Sequence, residues 1–142
     1  LLIGDGPDFE KVKQMISLHP NKERIIFYVE TKETAKMYSA MDIFVFPSKF
    51  EGLGIVALEA QINGMPVIAS DCVPKEVDIG GNTKFLSLER GESLWANCIL
   101  NVHRTNREQF YKANEKSIEK YDIYSNARRL EHIYKVLTDQ ED

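Results

Sequence analysis

The sequence predicts an α/β domain in which helices flank a parallel sheet and further helices close the C-terminal end. Three observations predict it. Short β-branched or aromatic runs alternate with segments of helical period. One run, residues 43–46, is apolar at every position, as expected of a strand covered on both faces. Glycine- or proline-containing turns separate the elements. Composition agrees: over 142 residues, 43% are hydrophobic and 28% charged, a globular balance with chain enough for one core.

The elements follow in order. Residues 1–3 form a short apolar run ending at Gly4-Asp5-Gly6-Pro7. Pro7 suits the first turn of a helix, and Phe9, Val12, Met15 and Ile16 then recur at helical spacing. Residues 25–29 are β-branched and aromatic, the second strand. Residues 31–41 read as a helix with Ala35, Tyr38 and Met41 on one side, and residues 43–46 as the third strand. Ile55, Leu58 and Ile62 place a helix over residues 52–62; Gly64 closes it as a left-handed cap and Pro66 forbids its continuation. Val67–Ser70 is a buried strand, Lys75–Val77 a brief helical turn, and residues 85–88 the last strand. A helix over residues 92–102 turns Trp95, Ile99 and Val102 inward, with Trp95 as a core anchor. Asn106 and Gln109 have capping-box spacing and open a charged helix. In the final helix Ile123, Ala127, Leu130, Tyr134 and Leu137 form one stripe, core or docking surface, while Arg128-Arg129 lie on a solvated face.

Charge and cysteine usage exclude several function classes. With 18 basic against 22 acidic side chains the net charge is −4, which argues against a nucleic-acid partner. No apolar stretch approaches the ~20 residues that span a bilayer, and the first residues lack a signal-peptide pattern. Cys72 and Cys98 make neither a CxxC pair nor a zinc spacing, so reduced thiols and a cytoplasmic setting are expected. There is no Asp-x-Asp motif, and His19, His103 and His132 are scattered, so no metal is expected.

In an open α/β sheet, ligands bind beyond the carboxyl ends of the strands. Three such ends stand out: Gly4-Asp5-Gly6-Pro7, Val29-Glu30-Thr31, and the stretch from Pro47 to Gly54. The third reads Pro47-Ser48-Lys49-Phe50-Glu51-Gly52-Leu53-Gly54-Ile55-Val56-Ala57-Leu58-Glu59. Gly52 and Gly54 permit a tight turn and close approach of a ligand to the backbone. Unpaired amides at the helix start, with the helix dipole, favour an anion such as a diphosphate. Glu51 precedes the helix and Glu59 lies about two turns into it. A diphosphate would repel carboxylates, so both suit sugar hydroxyls better. The plainer readings are a dipole-stabilising cap for Glu51 and a solvent-facing helix residue for Glu59.

Taken with Asn63-Gly64-Met65-Pro66-Val67-Ile68-Ala69-Ser70, the run from Glu51 to Ala60 resembles the signature of glycosyltransferase family 4, the group 1 glycosyltransferases. The Glu-x7-Glu spacing is met by Glu51 and Glu59, and Ile3-Gly4-Asp5-Gly6-Pro7 and residues 40–48 match two supporting pieces. The resemblance implies the C-terminal, donor-binding half of a GT-B fold, a Rossmann-like sheet, best matched over residues 1–88. It implies that Glu51 positions the donor sugar through its hydroxyls. The backbone at Gly52, Leu53, Gly54, Ile55 and Val56 would meet the sugar and diphosphate of a nucleotide diphosphate sugar, and Glu59 the ribose. Val29 and Glu30 would border the base, with Val29 standing where the family usually carries glycine.

Transfer in the family retains the anomeric configuration without a tightly bound metal. The acceptor, a glycan or a lipid-linked saccharide, would meet an N-terminal domain. That domain, and the basic pair with the first strand and helix of this one, are absent from these residues. The expectation is therefore a piece of a longer enzyme, 1–142 being one donor-binding domain, weakly active or inactive alone. The longer protein would be cytoplasmic or peripheral to the inner face of the cell membrane. Glu59-Ala60-Gln61 and Pro74-Lys75-Glu76-Val77 further resemble bacterial enzymes of capsular or exopolysaccharide assembly. Two other readings compete. One is a non-catalytic Rossmann-like binding or regulatory module such as a receiver, disfavoured because Asp42 precedes its strand. The other is a GT-B nucleotide-sugar epimerase relative. Apolar surface on the terminal helix would favour self-association of the piece.

Overall fold

The computed structural model describes residues 1–138 and divides into two compact units, Leu1–Met37 and Tyr38–Asp142. In the first, β1 (Leu2–Ile3) leads through α1 (Phe9–Leu18) to β2 (Phe27–Tyr28). The two strands pair in parallel, Leu2 opposite Phe27 and Ile3 opposite Tyr28. The Phe9 ring packs 5.0 Å from that of Phe27, so the helix covers its own strand pair. Pro7 lies before the helix rather than within its first turn, because Asp8 takes the N-cap position.

The helix α2 (Thr34–Ala40) starts later than residue 31, since the Thr31 hydroxyl accepts from the Glu33 amide at 3.0 Å. That local turn competes with helical hydrogen bonding. Its last residues, from Tyr38, belong to the second unit.

In the second unit β3 (Phe44–Phe46), β4 (Val67–Ser70) and β5 (Thr83–Leu86) form a parallel sheet in the order β3-β4-β5. Phe44 pairs with Val67 and Val67 with Thr83. The helices are α3 (Ile55–Ile62), α4 (Gly91–Leu100), α5 (Arg107–Glu119) and α6 (Ile123–Thr138). The parallel α/β architecture with C-terminal helices is the one the alternation predicts.

The strand buried on both faces is β4, not β3: all four β4 residues are buried, whereas Val45 in β3 is 38% exposed. Within this sheet β4 is paired along both edges and β3 along one, so only β4 has neighbours on every side. Alternation along β4 then splits the interior in two. Val67 and Ala69 join Leu58, Met65, Val73, Phe110 and Ile118, with α3 and α5 contributing. Ile68 faces the other way, with Leu86 and Trp95 of α4. Burying Ile68 contributes roughly 2–3 kcal/mol. Trp95 is the expected anchor, and its indole N–H donates to the Ser87 carbonyl at 3.2 Å.

The last strand sits two residues earlier than residues 85–88, because Ser87 accepts from the Glu89 amide and starts a 3-10 turn, Leu88–Arg90. Asn106 caps α5 as expected, its Oδ1 accepting from the Gln109 amide at 3.0 Å. Gly64 is left-handed at φ +78°, and a Cβ there would lie 2.7 Å from Arg107 Cα, so α5 begins directly against the α3–β4 turn. The stripe of α6 is not core: Ile123, Leu130, Tyr134 and Leu137 are all exposed. Among the described residues, no helix is long and apolar enough to cross a membrane.

Candidate functional site

The loop from β3 to α3 begins at the carboxyl end of the parallel sheet. Its helix starts at Ile55, three residues after Gly52, because Gly54 adopts φ +82°, ψ +51° and cannot extend a right-handed turn. Gly54 is buried, and a Cβ on it would stand 3.3 Å from Val73 Cγ1 and 3.4 Å from Phe46 Cε1. The missing side chain at Gly54 therefore serves the core as well as the turn. At Gly52, by contrast, a Cβ would meet nothing within 4 Å, and the space there is open.

Past this bend, the first intrahelical acceptor is the Gly54 carbonyl, which takes the amides of Ala57 and Leu58. Among the described residues no carbonyl or side chain accepts from the amides of Leu53, Gly54, Ile55 or Val56. Four successive donors at the positive end of a helix dipole are a ready partner for an oxyanion. Leu53, Ile55 and Val56 keep exposed side chains around them.

Glu51, half-buried, is held at the front of this bend. Ser48 Oγ lies 3.0 Å from Glu51 Oε1 and 3.0 Å from the Phe50 carbonyl, its single proton serving one at a time. The Ser48 carbonyl in turn accepts from the fully buried Ser70 hydroxyl at the end of β4. The carboxylate is thus tied through one serine to the central strand. Neither serine is singled out by spacing, since the relay joins residues 22 positions apart.

Glu59 stands exposed on α3, and the Tyr38 hydroxyl lies 2.9 Å from its Oε2. Burial, then the hydrogen bond to Glu59 and the charge of Glu59, push the Tyr38 phenol well above its ordinary pKa, so it remains a donor. Behind the helix, the fully buried Gln61 locks α3 to the loop after β4. Its amide group donates to the Ala57 and Val77 carbonyls at 3.1 and 2.5 Å and accepts from the Ile79 amide at 2.7 Å. That loop also carries Lys75, whose ammonium sits 3.4 Å over the Phe85 ring as a cation–π contact.

Of the other anticipated residues, Val29 and Glu30 are exposed just beyond β2, in the first unit. His19, His103 and His132 are all exposed; Cys72 and Cys98 are free thiols. The second unit thus brings a bend of free amides and two tethered carboxylates into one loop and the helix it opens. This arrangement can hold an anion beside hydroxyl groups.

The family model described as "Glycosyl transferases group 1" matches residues 1–117. Over 144 aligned residues the chain is 30% identical to EpsF of Bacillus subtilis, named as a glycosyltransferase. That match covers 99% of the chain and 37% of EpsF. The sulfoquinovosyl transferase SQD2 of Arabidopsis thaliana is 32% identical over 84% of the chain and 24% of its own length. The lipopolysaccharide core biosynthesis mannosyltransferase LpsB of Rhizobium meliloti is 36% identical over 43% of the chain and 17% of its own length. The chain therefore spans little more than a third of EpsF and less of the other two. With most of the chain inside the family match, including the whole of the bend and its glutamates, this protein belongs to the group 1 glycosyltransferases.

Proposed function

We propose that residues 1–142 serve as the nucleotide-sugar donor-binding part of a retaining glycosyltransferase. The observation that carries the reading is the run of unpaired amides at the start of α3, bracketed by Glu51 and Glu59. In this reading the amides of Leu53, Gly54, Ile55 and Val56 receive the diphosphate. They stabilise the negative charge that grows on it as the glycosidic bond breaks. Preorganisation matters because the donors need no rearrangement at the moment of reaction. Glu51, held by Ser48, accepts from hydroxyls of the transferred sugar, and Glu59 accepts from the ribose. Catalysis in this reading is electrostatic, with no resident metal assigned a part.

The acceptor is proposed to be a glycan or lipid-linked saccharide in bacterial polysaccharide assembly, capsular or exopolysaccharide, at the cytoplasmic side of the membrane. The saccharide-assembly name of LpsB supports that choice. EpsF and SQD2 extend far beyond the matched segment. Transfer is accordingly proposed to need more chain than these residues, including the part that meets the acceptor.

The test is calorimetric titration of UDP-, GDP- and ADP-sugars into the protein and its Glu59→Ala variant. Hydrogen bonds to a charged group contribute about 1.5–3 kcal/mol. The variant should therefore bind the preferred donor roughly ten- to a hundredfold more weakly. Equal affinity would remove Glu59 from the donor site.

A further inference from the structure

Tyr38 is 8% exposed, and its ring meets that of Phe44 edge-on at 5.8 Å. Its hydroxyl lies 2.9 Å from Glu59 Oε2 and 3.3 Å from the Val56 carbonyl oxygen. The single phenolic proton can serve one of them at a time. The carboxylate is nearer and charged, so it makes the stronger bond. Glu59 itself is exposed, and an exposed glutamate samples several rotamers unless something holds it. Here one oxygen is held by a buried group, while among the described residues no donor reaches Oε1.

The phenol is itself braced. Arg107, the first residue of α5, donates from Nη2 to the carbonyls of Tyr38, at 3.3 Å, and Met41. Its Nη1 donates to Asn63 Oδ1 at the end of α3. One guanidinium thus joins the backbone that carries Tyr38 to the end of the helix that carries Glu59. The bracing is close-packed, since only a glycine at position 64 leaves room for the Arg107 backbone.

We propose that Tyr38 is a positioning residue for nucleotide recognition: by holding Oε2 of Glu59 it preorganises the carboxylate, leaving Oε1 to accept from the ribose hydroxyls. Arg107 sets the position of Tyr38. This inference rests on the donor-site reading of Glu59. Without the phenolic hydroxyl, Glu59 has to be ordered at the moment of binding, and part of the contact is lost. The effect is confined to ligands that carry ribose hydroxyls.

The experiment measures equilibrium binding of UDP, GDP and ADP, and of their 2′,3′-dideoxy counterparts, to the full chain and to Tyr38→Phe, Glu59→Ala and the double variant. Tyr38→Phe keeps the ring and its packing. It should weaken the best-bound ribonucleotide about three- to tenfold and leave its dideoxy counterpart unchanged. On the Glu59→Ala background the same substitution should have no further effect, since the two act through one contact. Equal weakening of ribo and dideoxy ligands by Tyr38→Phe would mark a merely structural role and overturn the inference. So would no weakening of either, while Glu59→Ala still abolishes the preference for ribose. A Glu59→Ala variant that keeps that preference, or no binding of any diphosphate, overturns the donor-site reading and this inference with it. Should Tyr38→Phe lose its fold, Arg107→Lys, which withdraws the fork from the Tyr38 carbonyl, is read the same way; equal binding of both ligand types by that variant and the parent counts against the proposal.

Discussion

Leu1–Met37 and Tyr38–Asp142 are built from the same strand–helix–strand units and reach opposite degrees of burial. In the first, two strands of two residues pair in parallel beneath α1, and none of its residues is fully buried. In the second, one strand has partners on both edges and helices over both faces, and every residue of β4 is buried. The difference lies in the number of layers a residue can reach, since Leu2 and Ile3 are as apolar as Val67 and Ile68. A two-stranded pair with one helix offers a side chain one covered face. A unit of under ~40 residues is also below the size at which burial alone gives a firm core.

The contrast can be broken first at Gln61. Replacing it by Leu keeps the volume but leaves the Ile79 amide and the Val77 carbonyl buried without partners. Chemical denaturation should show a loss of roughly 3 kcal/mol, since each orphaned group costs about 1–3 kcal/mol. A loss under about 1 kcal/mol would mean that the loop after β4 finds other partners, and that α3 does not need this tie.

A smaller and pH-dependent effect is expected at the start of α6. The Ser125 amide bonds Asp122 Oδ2 at 2.7 Å. That bond, then the Ser125 side chain and, more weakly, the Arg128 charge, hold the Asp122 carboxyl below its ordinary value. A carboxylate with a lowered folded pKa stabilises above its unfolded pKa of ~3.9 and loses that contribution as pH falls through the folded value. The first turn of α6 should therefore fray on going from about pH 6 to about pH 2.5. Carbon chemical shifts of Tyr124 to Asn126 report it. In Asp122→Ala the same turn should be frayed at both pH values.

The smallest effect is expected in the first unit. Leu18 ends α1 at 78% exposure, and Leu18→Ala should change stability by no more than about 0.5 kcal/mol. A cost of 2 kcal/mol or more, about that of truncating a core leucine, would show that the exposed apolar residues of this unit are buried in solution.

Local chemistry made a good part of this protein legible from the chain alone. The left-handed turn at Gly64, the Asn106 cap and the strand at Val67–Ser70 each depend on residues within a few positions of one another. So does the bend that frees the amides before α3, and with it the glutamate pair. Two of the differences are equally local: side-chain turns at Thr31 and Ser87 shift a helix start by three residues and a strand end by two.

What packs against what was decided in three dimensions. That β4 rather than β3 is covered on both faces follows from sheet order, which hydrophobic runs do not encode. The Tyr38 hydroxyl reaches a carboxylate 21 positions away, and Arg107 reaches carbonyls 66 and 69 positions away. Gly54, whose positive φ favours glycine, also lies close against the Val73 and Phe46 side chains, which only the packed fold brings there. Turns and caps are set by short-range dihedral and hydrogen-bond preferences. The orientation of the Glu59 carboxylate depends on a partner distant in the chain, and only the packed fold brings the two within bonding distance.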